Sequence, residues 1–100
     1  MLAPRLAFID VETTGANPVV DRVTEIAILR VEGGRLVERW SSLVNPGIPI
    51  PPTIQRFTGI TDAMVATAPS FAELKDGVRA LFADCVFVAH NARFDYGFIK

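Results

Sequence analysis

Asp10 and Glu12 stand one residue apart at the end of an apolar run, Leu6-Ala7-Phe8-Ile9. Residues two apart on a strand project from one face, so the two carboxylates would lie side by side. Such a pair repels, and burial would desolvate it, unless a cation or hydrogen bonds compensate. A hard divalent cation such as Mg²⁺, held by one or two carboxylates and by a substrate phosphate, would do so. The plain alternative is an exposed strand end, where water screens the pair at little cost. A third carboxylate, Asp95, opens the last helical pattern of the chain. The helix dipole favours an acid there without any further role. In an open α/β sheet, however, ligands bind outside the carboxyl ends of strands, above all where the strand order reverses. If the strand before Asp95 lies parallel to the first strand and beside it, Asp10, Glu12 and Asp95 converge.

The elements that must position these acids are legible from pattern. Arg5 to Val11 is a short apolar run that passes into the polar, glycine-containing Thr13-Thr14-Gly15-Ala16-Asn17-Pro18, a buried strand entering a loop. Val23 to Val31 is apolar at both parities, Ile26 and Ile28 against Ala27, Leu29 and Val31, which predicts a strand covered on both sides. Glu32-Gly33-Gly34-Arg35 supplies a tight hairpin turn, and Leu36 to Val44 returns with polar residues mixed in, as an edge strand would. The prolines at 46, 49, 51 and 52 rule out a sheet interior, so a surface crossing follows, with helical turns around Thr53–Phe57 and Thr61–Val65. Ser70 and Glu73 form a capping box ahead of Phe71, Leu74, Val78, Leu81 and Phe82 at helical spacing. A fourth strand, Cys85 to Ala89, leads to His90-Asn91, after which Phe94, Asp95, Phe98 and Ile99 begin another helical pattern.

Composition narrows the function classes. The chain has 100 residues, half of them apolar, so it holds one domain at most and has enough apolar side chains to fold. Ten Lys and Arg against eleven Asp and Glu leave no global field for holding a nucleic acid, so any such contact is local. The single cysteine, Cys85, sits in an apolar run and reads as a core residue in a reducing, cytoplasmic setting. No stretch approaches the roughly 18 apolar residues of a membrane span. The last helical pattern stops at Lys100 without a capping glycine or a following proline, so the chain is expected to be part of a larger domain that continues beyond residue 100.

Three segments together resemble a known family. They are Phe8-Ile9-Asp10-Val11-Glu12-Thr13-Thr14-Gly15, Thr58-Gly59-Ile60-Thr61-Asp62 and Ala89-His90-Asn91-Ala92-Arg93-Phe94-Asp95. In order and over essentially the whole chain, they resemble the N-terminal part of the DEDD-superfamily 3′→5′ exonucleases, with the nearest likeness to the proofreading epsilon subunit of bacterial DNA polymerase III. The resemblance implies an α/β, ribonuclease-H-like mixed sheet flanked by helices, in which three antiparallel strands are followed by a parallel fourth, and which here stops before the last strand. Residues 1–100 would be the N-terminal part of a single exonuclease domain. It implies that Asp10 bridges two divalent cations, Mg²⁺ or Mn²⁺, that Glu12 binds the one activating water, and that Asp95 binds the other. It further implies that Thr13 and Thr14 offer backbone and hydroxyl groups to the terminal nucleotide of a single-stranded DNA 3′ end, and that Ile60 packs against its base with Phe94 walling the same pocket. Three of these also have a structural reading, Thr13 and Thr14 as turn residues before Gly15 and Phe94 as core.

The reaction so implied is removal of nucleoside 5′-monophosphates from a DNA 3′ end, in a proofreading role beside a polymerase subunit. His90, the one histidine, reads as a loop-ordering residue and not as the general base, which in the family comes from a third motif together with a fourth aspartate. That motif has no counterpart through Lys100, so the 100 residues alone are expected to be inactive, and an uncovered apolar face would favour self-association. Two departures stand out: Thr58 where epsilon-type sequences carry His before the Gly-Ile pair, and Thr53 near the position where they carry Glu. The rivals are an RNA-trimming relative with the same acids and a non-catalytic module of the same fold that binds a polymerase or a nucleic-acid end. Intact Asp10, Glu12 and Asp95 favour the enzyme.

Overall fold

The structure is a computed structural model that describes residues 4–89. Strand β1 (Arg5–Thr13) is followed by β2 (Val23–Glu32) and β3 (Arg35–Leu43), then by helices α1 (Pro52–Thr58), α2 (Asp62–Val65) and α3 (Phe71–Phe82), and by strand β4 (Val86–Ala89). The sheet order is β3-β2-β1-β4. β1 pairs antiparallel with β2, and β2 with β3, whereas β4 runs parallel to β1 with Leu6 opposite Val86 and Phe8 opposite Val88. This is the mixed sheet expected from the resemblance. Gly33 and Gly34 close the β2–β3 hairpin with φ of 58° and 79°. Two successive positive φ values match the right-handed strand twist, and glycine takes them without a Cβ penalty.

One face of the sheet holds the main core. Ile9 and Val11 of β1, Val23, Ile26 and Ile28 of β2, Val44 and Val78 of α3 are buried together, with Trp40, Phe71, Leu74, Leu81, Phe82 and Phe87 packed around them. Phe82 meets Phe87 edge to face, with ring centroids 5.4 Å apart. Helix α3 starts where the capping box predicts: the Glu73 N–H donates to Ser70 Oγ at 3.2 Å and the Ser70 N–H donates to the Glu73 carboxylate at 3.4 Å. Ser70→Ala should cost about 1 kcal/mol in denaturant unfolding, because it leaves an N-terminal N–H of α3 without its acceptor. A smaller cluster, Ile50, Ile60 and Val65 with Leu43, Ile54 and Ala68, lies under α1 and α2.

Three details differ from the sequence expectation. β1 runs on through Asp10-Val11-Glu12 to Thr13, because β2 is long enough to pair with it as far as Val23. Among the described residues no helix covers the second face of β2: Ala27, Leu29 and Val31 are only half-buried, and α3 packs on the opposite face. Cys85 is likewise half-buried and precedes β4, its thiol lying 3.9 Å from the Leu81 carbonyl. Among the described residues, no helix is long and apolar enough to cross a membrane.

Candidate active site

The alternation of β1 sets the site. Ala7, Ile9, Val11 and Thr13 are buried on the core face, so Phe8, Asp10 and Glu12 must share the other. Asp10 is exposed and Glu12 half-buried, at the carboxyl end of β1 and on the end of the sheet at which parallel β4 also finishes. The register adds an acid that the sequence pattern did not single out. Glu12 stands opposite Glu25 of β2, so Glu25 shares its face, as Ala27 shares that of Asp10. Asp10, Glu12 and Glu25 thus gather three carboxylates on one face at this end of the sheet. Among the described residues, Asp10 forms no ion pair with Lys or Arg. An oxygen-only set of this kind fits a hard divalent cation such as Mg²⁺ or Mn²⁺. No group of three potential metal ligands is assembled within the described residues. Asp95, Phe94 and His90 lie outside them.

Two open grooves flank these acids. One, about 260 Å³, is lined by Val11, Glu12, Thr13, Gly15, Ala16, Ile54, Phe57 and Thr58. The other, about 530 Å³ and largely apolar, has Asp10 among its walls, with Phe8, Ala27, Leu29 and Val88. Phe57 is 86 % exposed at the rim of the first groove. Sequence reasoning passed it over, because an apolar residue inside a short helical pattern reads as core. An aromatic ring this exposed beside Glu12 is the strongest additional candidate for touching a substrate.

The two threonines after Glu12 lie differently. Thr13 lines the Glu12 groove, and its hydroxyl donates to the Gly15 carbonyl at 2.6 Å. Thr14 is 2 % exposed, and its hydroxyl donates to Asp21 Oδ1 at 2.8 Å while accepting the Arg22 N–H at 3.0 Å. Both hydroxyls are therefore engaged inside the loop. Ile60 is 4 % exposed and belongs to the smaller core cluster, behind α1. The structure thus brings Glu12, Thr13 and Phe57 to one groove and sets Thr14 and Ile60 behind its walls.

The segment Thr58-Gly59-Ile60-Thr61-Asp62 holds α1 against that groove. Gly59 ends α1 at φ 77°, its N–H donating to the Gln55 carbonyl at 2.9 Å, a left-handed cap that favours glycine. Thr58 Oγ1 donates to the Ile54 carbonyl and accepts the Ile60 N–H. Asp62 accepts the Ile50 N–H at 2.9 Å and the Gln55 side-chain amide at 3.1 Å, tying the proline-rich crossing to α1. Thr61 caps α2 through the Met64 N–H.

Residues 7–100 match the sequence profile described as Exonuclease, of the RNase T type. The chain belongs to the DEDD-type exonuclease family. Relatives of this exonuclease-family chain include the PolC-type DNA polymerase III of Bacillus cereus, 46% identical over 91 residues, which cover 91% of this chain and 6% of the relative. The 3′-5′ exonuclease DinG of Bacillus subtilis is 41% identical over 97 residues, covering 96% of this chain and 10% of the relative. The chain therefore spans a small fraction of these relatives. Exonuclease X in complex with 5′ overhanging duplex DNA superposes with a TM-score of 0.79 at 36% identity, covering 95% of this chain and 54% of that one. Apo exonuclease I, at 23% identity and a TM-score of 0.86 over 96% of this chain and 23% of its own, shares the fold.

Proposed function

We propose that this chain carries the first part of the catalytic site of a metal-dependent 3′→5′ exonuclease acting on DNA, in a proofreading role. The observation that carries the reading is the shared face of Asp10 and Glu12 at the end of β1, beside the end of parallel β4. The relatives with 3′→5′ exonuclease and polymerase names, and the DNA-bound exonuclease X neighbour, support it. The domain would continue beyond residue 100, as the 54% coverage of exonuclease X suggests, and that continuation would supply the fourth aspartate and the general base.

Asp10, Glu12 and Asp95 would hold two divalent cations. When bound, these would lower the pKa of the attacking water and neutralise the charge on the leaving oxygen. The water oxygen bonds to phosphorus as the bond to the 3′ oxygen of the preceding nucleotide breaks, the water's proton passing to the general base and the 3′ oxygen ending protonated. Thr13 and the backbone of Gly15 and Ala16 wall the terminal nucleotide, and Phe57 offers its face to a base, with Ile60 supporting α1 from behind. Stacking of this kind tolerates any base, as a proofreader needs.

Two measurements test the reading. Full-length protein supplied with Mg²⁺ and 3′-labelled single strands should release nucleoside 5′-monophosphates, faster from DNA than from a matched RNA. A preference for RNA would make it an exoribonuclease of the same family, and no release from either would leave a non-catalytic module. Phe57→Ala should raise KM for DNA about tenfold or more, since a stacked base contributes about 1–3 kcal/mol. With Phe57 86 % exposed, the melting temperature should hardly move.

A further inference from the structure

Behind the groove wall lies a carboxylate to which the reaction assigns no role. Asp21, half-buried at the end of the loop between β1 and β2, accepts the Thr14 hydroxyl at 2.8 Å through Oδ1 and the Asn17 N–H at 3.1 Å through Oδ2. The Thr14 hydroxyl in turn accepts the Arg22 N–H at 3.0 Å, and the Thr14 N–H donates to the Arg22 carbonyl at 2.9 Å. The Asp21 and Val20 N–H groups return to the Asn17 carbonyl, and the Val19 N–H to Asn17 Oδ1. Gly15 is pressed against the same carboxylate: a Cβ there would stand 2.7 Å from Asp21 Cγ and 2.8 Å from Oδ1, closer than packed atoms approach. One carboxylate therefore reaches residues 14, 15 and 17, immediately after Glu12 and Thr13. The opposite side of this stretch, through Thr13, Gly15 and Ala16, is the wall of the Glu12 groove.

We infer that Asp21 is a positioning residue: through Thr14 and Gly15 it fixes the loop wall against which the terminal nucleotide seats, and it acts on substrate binding without holding metal. The inference rests on the exonuclease reading above. Charge-assisted hydrogen bonds to a carboxylate are the strong ones, and a loop held by three of its positions keeps its wall in one place. A wall that contacts substrate and transition state alike changes KM and leaves kcat in place.

The test compares Asp21→Ala, Asp21→Asn and Thr14→Val in the full-length protein, measuring KM and kcat on a DNA oligonucleotide, Mn²⁺ affinity and melting temperature. Asp21→Ala and Thr14→Val should each raise KM about tenfold through displacement of the wall, with kcat and Mn²⁺ affinity near wild type. Asp21→Asn, which keeps the acceptor for Thr14 and loses the one for Asn17, should fall between. The double variant Asp21→Ala with Thr14→Val should be little worse than either single change, because both break one linkage. A lowered melting temperature with unchanged KM in the folded variants would reduce Asp21 to a purely structural role and overturn the inference. So would loss of Mn²⁺ affinity in Asp21→Ala, which would place Asp21 in the metal site. A wild-type protein that neither cleaves DNA nor binds Mn²⁺ would instead remove the exonuclease reading, and this inference with it.

Discussion

Asp10→Asn should lower kcat on DNA roughly 10³-fold or more at saturating Mg²⁺, since charge stabilisation by a bound ion is worth several kcal/mol in the transition state and each 1.4 kcal/mol or so is a factor of ten. The same change should leave stability within about 0.5 kcal/mol of wild type, because an exposed carboxylate is being replaced by a shape-matched neutral amide. Asp10 shares its face with Glu12 and Glu25, so any shift should be towards greater stability as repulsion is relieved. Single-turnover hydrolysis and a thermal melt read the two effects separately. A variant that cleaves at the wild-type rate would take Asp10 out of the metal site.

The second large effect concerns the scaffold. Ile26→Ala should cost about 2–5 kcal/mol in urea unfolding, a sizeable share of the roughly 5–15 kcal/mol of a typical domain. Ile26 is 0 % exposed, opposite Val11 on β1 and Ser42 on β3, in the middle of the main core. The cavity would open directly beneath the strand that carries Asp10 and Glu12. Leu36→Ala, at a residue 51 % exposed on edge strand β3, should cost far less. Similar losses at both positions would mean that the sheet buries its faces differently.

Local chemistry explains which parts of this architecture were readable in the sequence. The Gly33-Gly34 turn and the Ser70–Glu73 capping box each satisfy their own backbone within a few residues, so spacing alone located them. The side-by-side carboxylates of Asp10 and Glu12 follow from strand periodicity in the same way. What pattern could not supply are relations across the fold. Glu25 joins the acidic end only through the β1–β2 register. Asp62 matters because it reaches back to Ile50, and Asp21 because it reaches Thr14, pairs that no helix or strand period connects. Phe57 was hidden for the opposite reason, since a short helix with apolar residues looks like core whether or not anything covers it. The two-sided apolar pattern of β2 predicted a cover on each face, whereas the described residues pack on one.

The most direct measurement is a calorimetric titration with Mn²⁺ of the wild-type chain and of Asp10→Asn, each first shown by circular dichroism to be folded. Saturable Mn²⁺ binding that disappears in Asp10→Asn is the expected result and would establish that the carboxylates at the end of β1 form a metal site. A folded wild-type chain that takes up no Mn²⁺, or a variant that binds as the wild type does, would contradict it.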